Sequence, residues 1–217
     1  MLNDKAALRS RLLAARAELS PEQRKDAARA LARHALTLLP PQTPPVVAGY
    51  VSVGAEPGTR ALLDALRARG ARVLLPVLLP DNDLDWGEYR DAEGLRRAGR
   101  GLLEPDGDRL GPEAVRAAGL VLLPGLAVDR HGVRLGRGGG SYDRVLARLS
   151  GPARPSAPAG VANRSSPAGA RLVTLLYDAE LLKGVPAEAH DRPVDAAVTP
   201  SGVHWFRAAG PTRPGSA

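Results

Sequence analysis

Five short runs of Val, Leu and Ala, separated by stretches with a helical pattern, constrain the fold more than any other feature of this sequence. Each run is apolar at nearly every position, which is typical of a strand buried on both faces of a parallel sheet. The five runs cover residues 46–51, 72–78, 119–125, 171–177 and 194–199.

Helical stretches lie between these runs, at residues 59–69, 112–118 and 139–149. Strands that alternate with helices form βαβ units, whose helices cover both faces of the sheet. The sequence therefore predicts an α/β fold of three layers, with a mostly parallel sheet flanked by helices. The 217 residues are enough for one such domain with a substantial core.

The N-terminal residues predict a pair of helices before the first strand. Residues 3–19 place Leu8 and Leu12 at helical spacing with arginines between them, as in an amphipathic helix. Ser20 can then cap a second helix, with a proline at its first position and Gln23 completing a capping box. This second helix is predicted to run to about Leu38.

The remaining segments lie at the edges of the predicted domain. Residues 83–90 and 203–206 are predicted as an edge strand or hairpin arm and a final short strand. Pro, Gly, Ser and Ala dominate residues 150–170 and the tail 207–217. We expect a single domain over residues 1–206 with a flexible loop at 150–170, followed by a disordered tail.

Composition excludes several classes of function. The chain has no cysteine, so disulfides, thiolate catalysis and cysteine-ligated metal sites are excluded. Charges interrupt every apolar stretch of the first twenty residues, which predicts a cytoplasmic protein without a membrane span. The net charge of +7 allows a nucleic-acid-binding protein as an alternative, but aromatic residues for base stacking are scarce, at 3%.

The segment RLGRGGGSYDR, residues 134–144, is the strongest candidate for a functional site. A glycine-rich loop between a strand and a helix exposes backbone N–H groups and can approach an anion closely. Arg134 and Arg137 can neutralise phosphate oxygens, and Asp143 can bind Mg²⁺ beside the same phosphates. The alternative is a glycine-rich turn with solvated arginines.

The longer segment LPGLAVDRHGVRLGRGGGSYDR resembles the signature of the 5-formyltetrahydrofolate cyclo-ligase family, PGLxFDxxGxRLGxGxGxYD. Other family features follow in the same order: Lys-x-x-x-Arg at Lys5 and Arg9, Glu-x-x-Thr at Glu56 and Thr59, and PAEAHDRPVDAAVT near residue 190. The resemblance implies a fold like that of the NagB/RpiA/CoA-transferase group. A sugar-phosphate or CoA-handling enzyme on a similar scaffold is a weaker alternative.

The resemblance implies an enzyme that converts 5-formyltetrahydrofolate to 5,10-methenyltetrahydrofolate, using ATP and Mg²⁺ and releasing ADP and phosphate. In the family the formyl oxygen attacks the γ-phosphate, N10 closes on the activated carbon, and phosphate departs without a protein nucleophile. The implied partners are the reduced folate and ATP. We further expect no nucleic-acid or membrane partner, and a monomer.

The resemblance assigns the nucleotide to the first helix and to the glycine-rich motif. Lys5 and Arg9 lie four residues apart, so they share one face of that helix, although a solvated helix face would explain them as well. The predicted ATP-binding residues are Lys5, Arg9, Arg134, Leu135, Gly136, Arg137, Gly138, Gly139, Gly140, Ser141 and Tyr142.

The folate and metal contacts follow from the same resemblance. Asp143 and Asp191 match the magnesium ligands, with a helix-start acid and a turn residue as the alternatives. Arg137 and Asp143 are predicted to be catalytic, and His190 is predicted to have no role. The predicted substrate-binding residues are Val53, Glu56, Gly58, Arg137, Gly138, Gly139, Gly140 and Ser141.

The chain departs from the family pattern at four positions. Gly58 stands where many members have an acid, Gly139 where some have lysine, and Ser141 where many have tyrosine. Glu180 replaces the glutamine of an aromatic-x-x-Gln motif. Trp86 and Tyr89 are candidates either for the folate pocket or for the buried sheet.

Overall fold

A computed structural model describes residues 2–39, 44–150, 169–188 and 191–206. The predicted tail and nearly all of the predicted flexible loop lie outside the described residues, as does His190. The domain limits therefore stay predictions.

The described chain contains four α-helices and twelve strands. The helices are α1 (Leu2–Ala17), α2 (Pro21–Ala35), α3 (Arg60–Ala68) and α4 (Ser141–Ser150). The strands are β1 (Val46–Ala48), β2 (Arg72–Leu78), β3 (Leu84–Glu88), β4 (Leu95–Arg97), β5 (Leu103–Pro105), β6 (Leu120–Leu123), β7 (Ala127–Asp129), β8 (Arg134–Leu135), β9 (Arg171–Leu175), β10 (Leu181–Leu182), β11 (Ala196–Thr199) and β12 (Gly202–Trp205).

Seven strands form the main sheet in the order β12-β11-β9-β6-β1-β2-β3. The five central strands are parallel, and β3 and β12 add antiparallel edges. The mostly parallel sheet and both predicted edge strands are therefore confirmed. Two small sheets, β10-β7-β8 and β4-β5, lie beside it.

Helices cover both faces of the main sheet, which gives the three predicted layers. On one face, Leu31 of α2 and Leu62 of α3 share a core with Val47. On the other face, Val145 of α4 shares a core with Ala48. Val47 and its neighbour Ala48 lie on opposite faces because successive side chains of a strand alternate. Trp86 is fully buried in the second core. Of its two alternatives, burial in the sheet is therefore confirmed, and Trp86 is not a pocket residue.

Two predicted elements differ in detail. The predicted strand at residues 46–51 ends at Ala48, after which Tyr50 and Val51 stay buried and line a cavity. The predicted helix at residues 112–118 is a 3₁₀ helix, Pro112–Ala117. A segment this short closes few i→i−4 hydrogen bonds, and 3₁₀ turns often serve as connectors, although a run of six 3₁₀ residues is uncommon.

Both predicted N-terminal helices form, although α2 ends at Ala35 and the chain continues to Leu38 as a 3₁₀ turn. The two helices pack on different parts of the fold. Ser20 Oγ accepts a hydrogen bond from Gln23 N at 3.2 Å, and Gln23 Oε1 accepts one from Ser20 N at 2.8 Å. The capping box is therefore confirmed. Whereas α2 covers the main sheet, α1 packs through Leu12 on Leu126 and Leu135 beside the small sheet. This placement brings the first half of α1 to the edge of the main sheet where the site lies.

Candidate functional site

A cavity of about 540 Å³ opens where β1, β2 and β6 reach their carboxyl ends. Ligands of open α/β sheets bind at this edge, where loops diverge from neighbouring strands. The cavity brings together all but one of the predicted site residues: Lys5, Arg9, Val53, Glu56, Arg134, Leu135, Gly136, Arg137, Gly138, Gly139, Gly140, Ser141, Tyr142, Asp143 and Asp191.

Gly58 is the predicted site residue that does not line the cavity. It lies against α2, where an added Cβ would come within 2.9 Å of the Ala28 Cβ. Close packing between the loop and the helix therefore explains a glycine here, and its placement does not support a folate contact.

The glycine-rich loop runs from the end of β8 to the start of α4. Gly138 and Gly140 have φ values of 92° and 75°, which glycine adopts without strain. The carbonyl of Gly140 accepts hydrogen bonds from Asp143 N and Arg144 N, at 3.2 and 3.3 Å, in the first turn of α4. The loop therefore presents its backbone toward the cavity from a helix N-terminus.

Arg9 fixes this loop from the side of α1. Its Nε donates to the carbonyl oxygen of Gly136 at 2.9 Å. The guanidinium lies over Gly138, 3.6 Å from the position that a Cβ would take there. A side chain at Gly138 would therefore crowd Arg9, in addition to the strain of its backbone.

Arg134 is a buried cation whose charge is incompletely compensated. Its Nη1 donates to the carbonyl oxygen of Pro124 at 3.0 Å, and its Nη2 to Asp143 Oδ1 at 3.1 Å. Its buried Nε has no hydrogen-bond partner in the described structure. Burial lowers the pKa of the Arg134 guanidinium, and the charges of Asp143 and Asp191 offset this effect only in part. The cation stays protonated and is well placed to accept a further anion.

Lys5 contacts two carboxylates that line the cavity beside it. Its Nζ is 2.9 Å from Glu188 Oε1 and 3.4 Å from Asp191 Oδ2. The hydrogen bond to Glu188 is the main reason that the pKa of Lys5 is raised, with Asp191 contributing as well. The sequence did not single out Glu188, although it lies within the PAEAHD segment of the resemblance.

Glu56 is held in place before any ligand binds. Its Oε2 accepts a hydrogen bond from Val53 N at 2.8 Å, and its Oε1 is 3.3 Å from Arg137 Nε. Ser52 and Thr59 brace the same turn, because each backbone N–H donates to the hydroxyl of the other residue. The Glu56 carboxylate therefore lines the cavity in a fixed orientation, while Arg137 is half-exposed.

Tyr142 and Tyr50 form a wall of the cavity near Glu56. The Tyr142 hydroxyl is buried and has no hydrogen-bond partner in the described structure. Burial, together with the charge of Glu56, raises the pKa of Tyr142 well above its usual value, so the hydroxyl stays protonated and can donate.

A second buried arginine anchors α1 outside the cavity. Arg16 donates from Nε to Glu180 Oε1 at 2.6 Å and from Nη2 to Glu180 Oε2 at 2.9 Å. Nη2 also donates to the carbonyl oxygen of Gly125 at 2.7 Å, and Glu180 Oε2 accepts from Tyr177 N at 2.9 Å. The acid at position 180 therefore forms a bidentate ion pair with a helix that reaches the site.

Asp143 and Asp191 supply carboxylate oxygens, the ligand type that suits a magnesium ion bound together with a nucleotide. Both carboxylates line the cavity, and both act electrostatically on Arg134, which places them in one neighbourhood. Among the described residues, no cluster of three His, Cys, Asp or Glu side chains offers a complete metal cage. Mg²⁺ commonly binds one or two carboxylates and takes its other ligands from phosphates and water. The pair fits that pattern.

Comparison with known proteins identifies the family of the chain. The model of the family described as 5-formyltetrahydrofolate cyclo-ligase matches residues 1–200. The chain belongs to the 5-formyltetrahydrofolate cyclo-ligase family.

Relatives of the same name come from two bacteria. The cyclo-ligase of Mycolicibacterium smegmatis is 42% identical over 159 residues, which cover 71% of this chain and 73% of the relative. The cyclo-ligase of Escherichia coli K12 is 30% identical over 190 residues, 87% of this chain and 96% of the relative.

Solved structures match the fold as well. The Aquifex aeolicus 5,10-methenyltetrahydrofolate synthetase superposes with a TM-score of 0.72 at 26% identity, over 97% of this chain and 96% of that chain. The Mycoplasma pneumoniae synthetase, at 18% identity, has a TM-score of 0.65 over 91% of this chain and 99% of that chain, and supports the fold alone. These matches confirm the predicted α/β class and cyclo-ligase family, and do not support the nucleic-acid-binding alternative. No helix within the described ranges is long and apolar enough to span a membrane.

Sequence reasoning missed the apolar half of the cyclo-ligase cavity. Pro76 and Leu78 come from β2, Leu84 from β3, and Leu102 and Leu103 from the hairpin that β4 and β5 form. Pro76, Leu78 and Leu84 lie near the ends of predicted strands, which was their only sequence signal. No strand was predicted for the hairpin that carries Leu102 and Leu103. Arg100, at the tip of that hairpin, also lines the cavity and was not predicted.

Proposed function

We propose that this member of the cyclo-ligase family catalyses the ATP- and Mg²⁺-dependent conversion of 5-formyltetrahydrofolate to 5,10-methenyltetrahydrofolate. The observation that carries the proposal is one cavity with two unlike halves. Its polar half combines the glycine-rich loop with basic side chains and two aspartates, and its other half is lined by proline and leucine. This division suits a triphosphate and a heteroaromatic substrate side by side.

The polar half would bind and orient the triphosphate. Backbone N–H groups of the glycine-rich loop and the N-terminus of α4 favour phosphate oxygens. The Arg134 guanidinium, with an unpartnered Nε, adds a cation in a site sheltered from water. Lys5 and Arg9 add charge from α1. Asp143 and Asp191 would hold Mg²⁺, which when bound neutralises charge on the phosphates.

The folate would lie between Glu56 and the apolar wall. The fixed Glu56 carboxylate can accept hydrogen bonds from the amino and ring N–H donors of a pterin. The formyl oxygen can then attack the γ-phosphate, after which N10 closes on the formyl carbon and phosphate leaves. The side chains supply alignment and charge stabilisation, so a protein nucleophile is not required.

The direct test is to incubate the purified protein with 5-formyltetrahydrofolate, ATP and Mg²⁺ and to follow the absorbance of the methenyl product. We expect Asp143→Ala to abolish product formation, because it removes a metal ligand and leaves the Arg134 charge without its carboxylate. Asp26→Ala is the matched control, since Asp26 pairs with Arg29 on an exposed face of α2.

Two outcomes would contradict the proposal at different levels. A wild-type protein that forms no methenyl product under broad conditions would overturn the assigned reaction. Full activity of Asp143→Ala would remove only Asp143 from the mechanism and keep the reaction.

A further inference from the structure

The tip of the β4–β5 hairpin holds an arginine in a backbone conformation that arginine rarely adopts. Leu102 N donates to the carbonyl oxygen of Gly99 at 3.2 Å and closes a tight turn. The two central residues, Arg100 and Gly101, have φ values of 60° and 72°. Positive φ at both positions is the pattern of a type I′ turn, which favours Asn, Asp or Gly at its first central position. An arginine there is strained.

The Arg100 side chain lines the cavity and is not used to hold the fold together. The other four cations of the cavity are all engaged: Lys5 with Glu188, Arg9 with Gly136, Arg134 with Asp143, and Arg137 with Glu56. Arg100 is exposed and forms no hydrogen bond or ion pair with any residue that the structure describes. A strained cation without a structural partner points to a ligand.

Its surroundings indicate which part of a ligand it would meet. Arg100 belongs to the hairpin that supplies Leu102 and Leu103 to the apolar half of the cavity. A reduced folate carries its formyl group on the pterin ring, whereas its glutamate carboxylates lie at the other end, beyond the aminobenzoyl ring. When the formyl group faces the phosphate loop, the rest of the molecule extends along the apolar wall.

We propose that Arg100 binds the carboxylates of the folate's glutamate tail and so favours folates over analogues without that tail. This inference rests on the proposed function. A guanidinium suits the role because its planar donors match a carboxylate and its charge attracts additional γ-linked glutamates.

The test variant is Arg100→Asn, because asparagine suits this turn position and removes the cation. We expect the KM for 5-formyltetrahydrofolate to rise about five- to ten-fold, the effect of losing a partly solvated charged contact. The kcat and the KM for ATP should stay at wild-type values, and Tm should stay level or rise because strain is relieved. Arg100→Lys should retain part of the affinity.

A substrate without the tail separates this role from a general effect on the site. With 5-formyltetrahydropteroate, which lacks glutamate, wild type and Arg100→Asn should have the same KM. With a triglutamate substrate, the difference in KM between wild type and Arg100→Asn should be larger than with 5-formyltetrahydrofolate. Arg97→Ala is the matched control, since Arg97 is exposed on the same hairpin and does not line the cavity. It should leave every KM unchanged.

The outcomes distinguish this proposal from the proposed function. If wild type forms methenyl product but Arg100→Asn has an unchanged KM for 5-formyltetrahydrofolate, the role of Arg100 is wrong and the reaction stands. A raised KM for ATP, or an equal loss with 5-formyltetrahydropteroate, would likewise overturn the tail contact. If wild type forms no product, the reaction itself fails.

Discussion

Two buried arginines bind neighbouring carbonyl groups of one loop, yet their charges are compensated differently. Arg134 donates to Pro124 and Arg16 to Gly125. Arg16 faces a buried carboxylate in a bidentate pair, and although burial alone would lower its pKa, the hydrogen bonds and charge of Glu180 raise it overall. Arg134 shares one contact with the half-exposed Asp143, and its pKa is lowered. Burial alone therefore does not separate the two arginines. Incomplete charge compensation does, and it marks Arg134 as the one that we propose to bind phosphate.

The largest effect is expected at the Arg16–Glu180 pair, where the buried charge is fully compensated. Glu180→Ala should lower the free energy of unfolding by about 3–5 kcal/mol, because it leaves the Arg16 cation buried without its partner. Urea unfolding followed by circular dichroism measures this loss. The double variant Arg16→Met/Glu180→Leu should recover most of it, because it removes both charges together. A loss below about 1 kcal/mol in the single variant would show that the pair is not the anchor of α1.

Removal of the other cation should act on activity rather than on stability. Arg134→Met should lower kcat/KM for ATP by about 10²–10³-fold, as expected when a charged donor to the reacting group is lost. Its free energy of unfolding should stay within about 1 kcal/mol of wild type, because a poorly compensated buried charge is exchanged for an apolar side chain. Steady-state kinetics at varied ATP concentration test the predicted loss of activity. Urea unfolding tests the predicted stability. Equal stability losses for Arg134→Met and Glu180→Ala would contradict the proposed difference between a structural Arg16 and an Arg134 that acts on activity.

The smallest effect is expected for Glu180→Gln, which separates the charge of position 180 from its hydrogen bonds. Glu180→Gln restores the amide of the family pattern and should cost about 2 kcal/mol of unfolding free energy, less than Glu180→Ala, because the charge is lost but a carboxamide oxygen still accepts one of the hydrogen bonds. Its activity should match wild type. Urea unfolding of this variant beside Glu180→Ala separates hydrogen bonding from charge at position 180. A cost as large as that of Glu180→Ala would show that the charge alone matters.

Local patterns were sufficient for much of the fold. The bounded apolar run at residues 72–78 predicted β2 to the residue, and the capping box predicted the start of α2. The 3₁₀ helix at Pro112–Ala117 was predicted only as a helical stretch, because the helical pattern does not separate six 3₁₀ residues from an α-helix.

The candidate site was predictable where a motif carried it and not where distant residues meet. The glycine-rich loop followed from residues 134–144, but its contacts with Arg9 and Glu56 depend on the tertiary fold. Nothing in the first helix distinguished Arg16 from its other arginines, because its carboxylate partner is 164 residues away. Arg100 was not singled out because the turn conformation that distinguishes it is not revealed by the sequence.

The contact between Lys5 and Glu188 spans 183 residues, so the first helix meets its partner only near the end of the chain. During synthesis, α1 emerges from the ribosome long before the segment that completes its side of the cavity. The polar half of the cavity is then assembled late, because a nascent chain lacking residues 171–191 has the glycine-rich loop but not Glu180, Glu188 and Asp191. We therefore expect cyclo-ligase activity only from chains whose synthesis has passed residue 191.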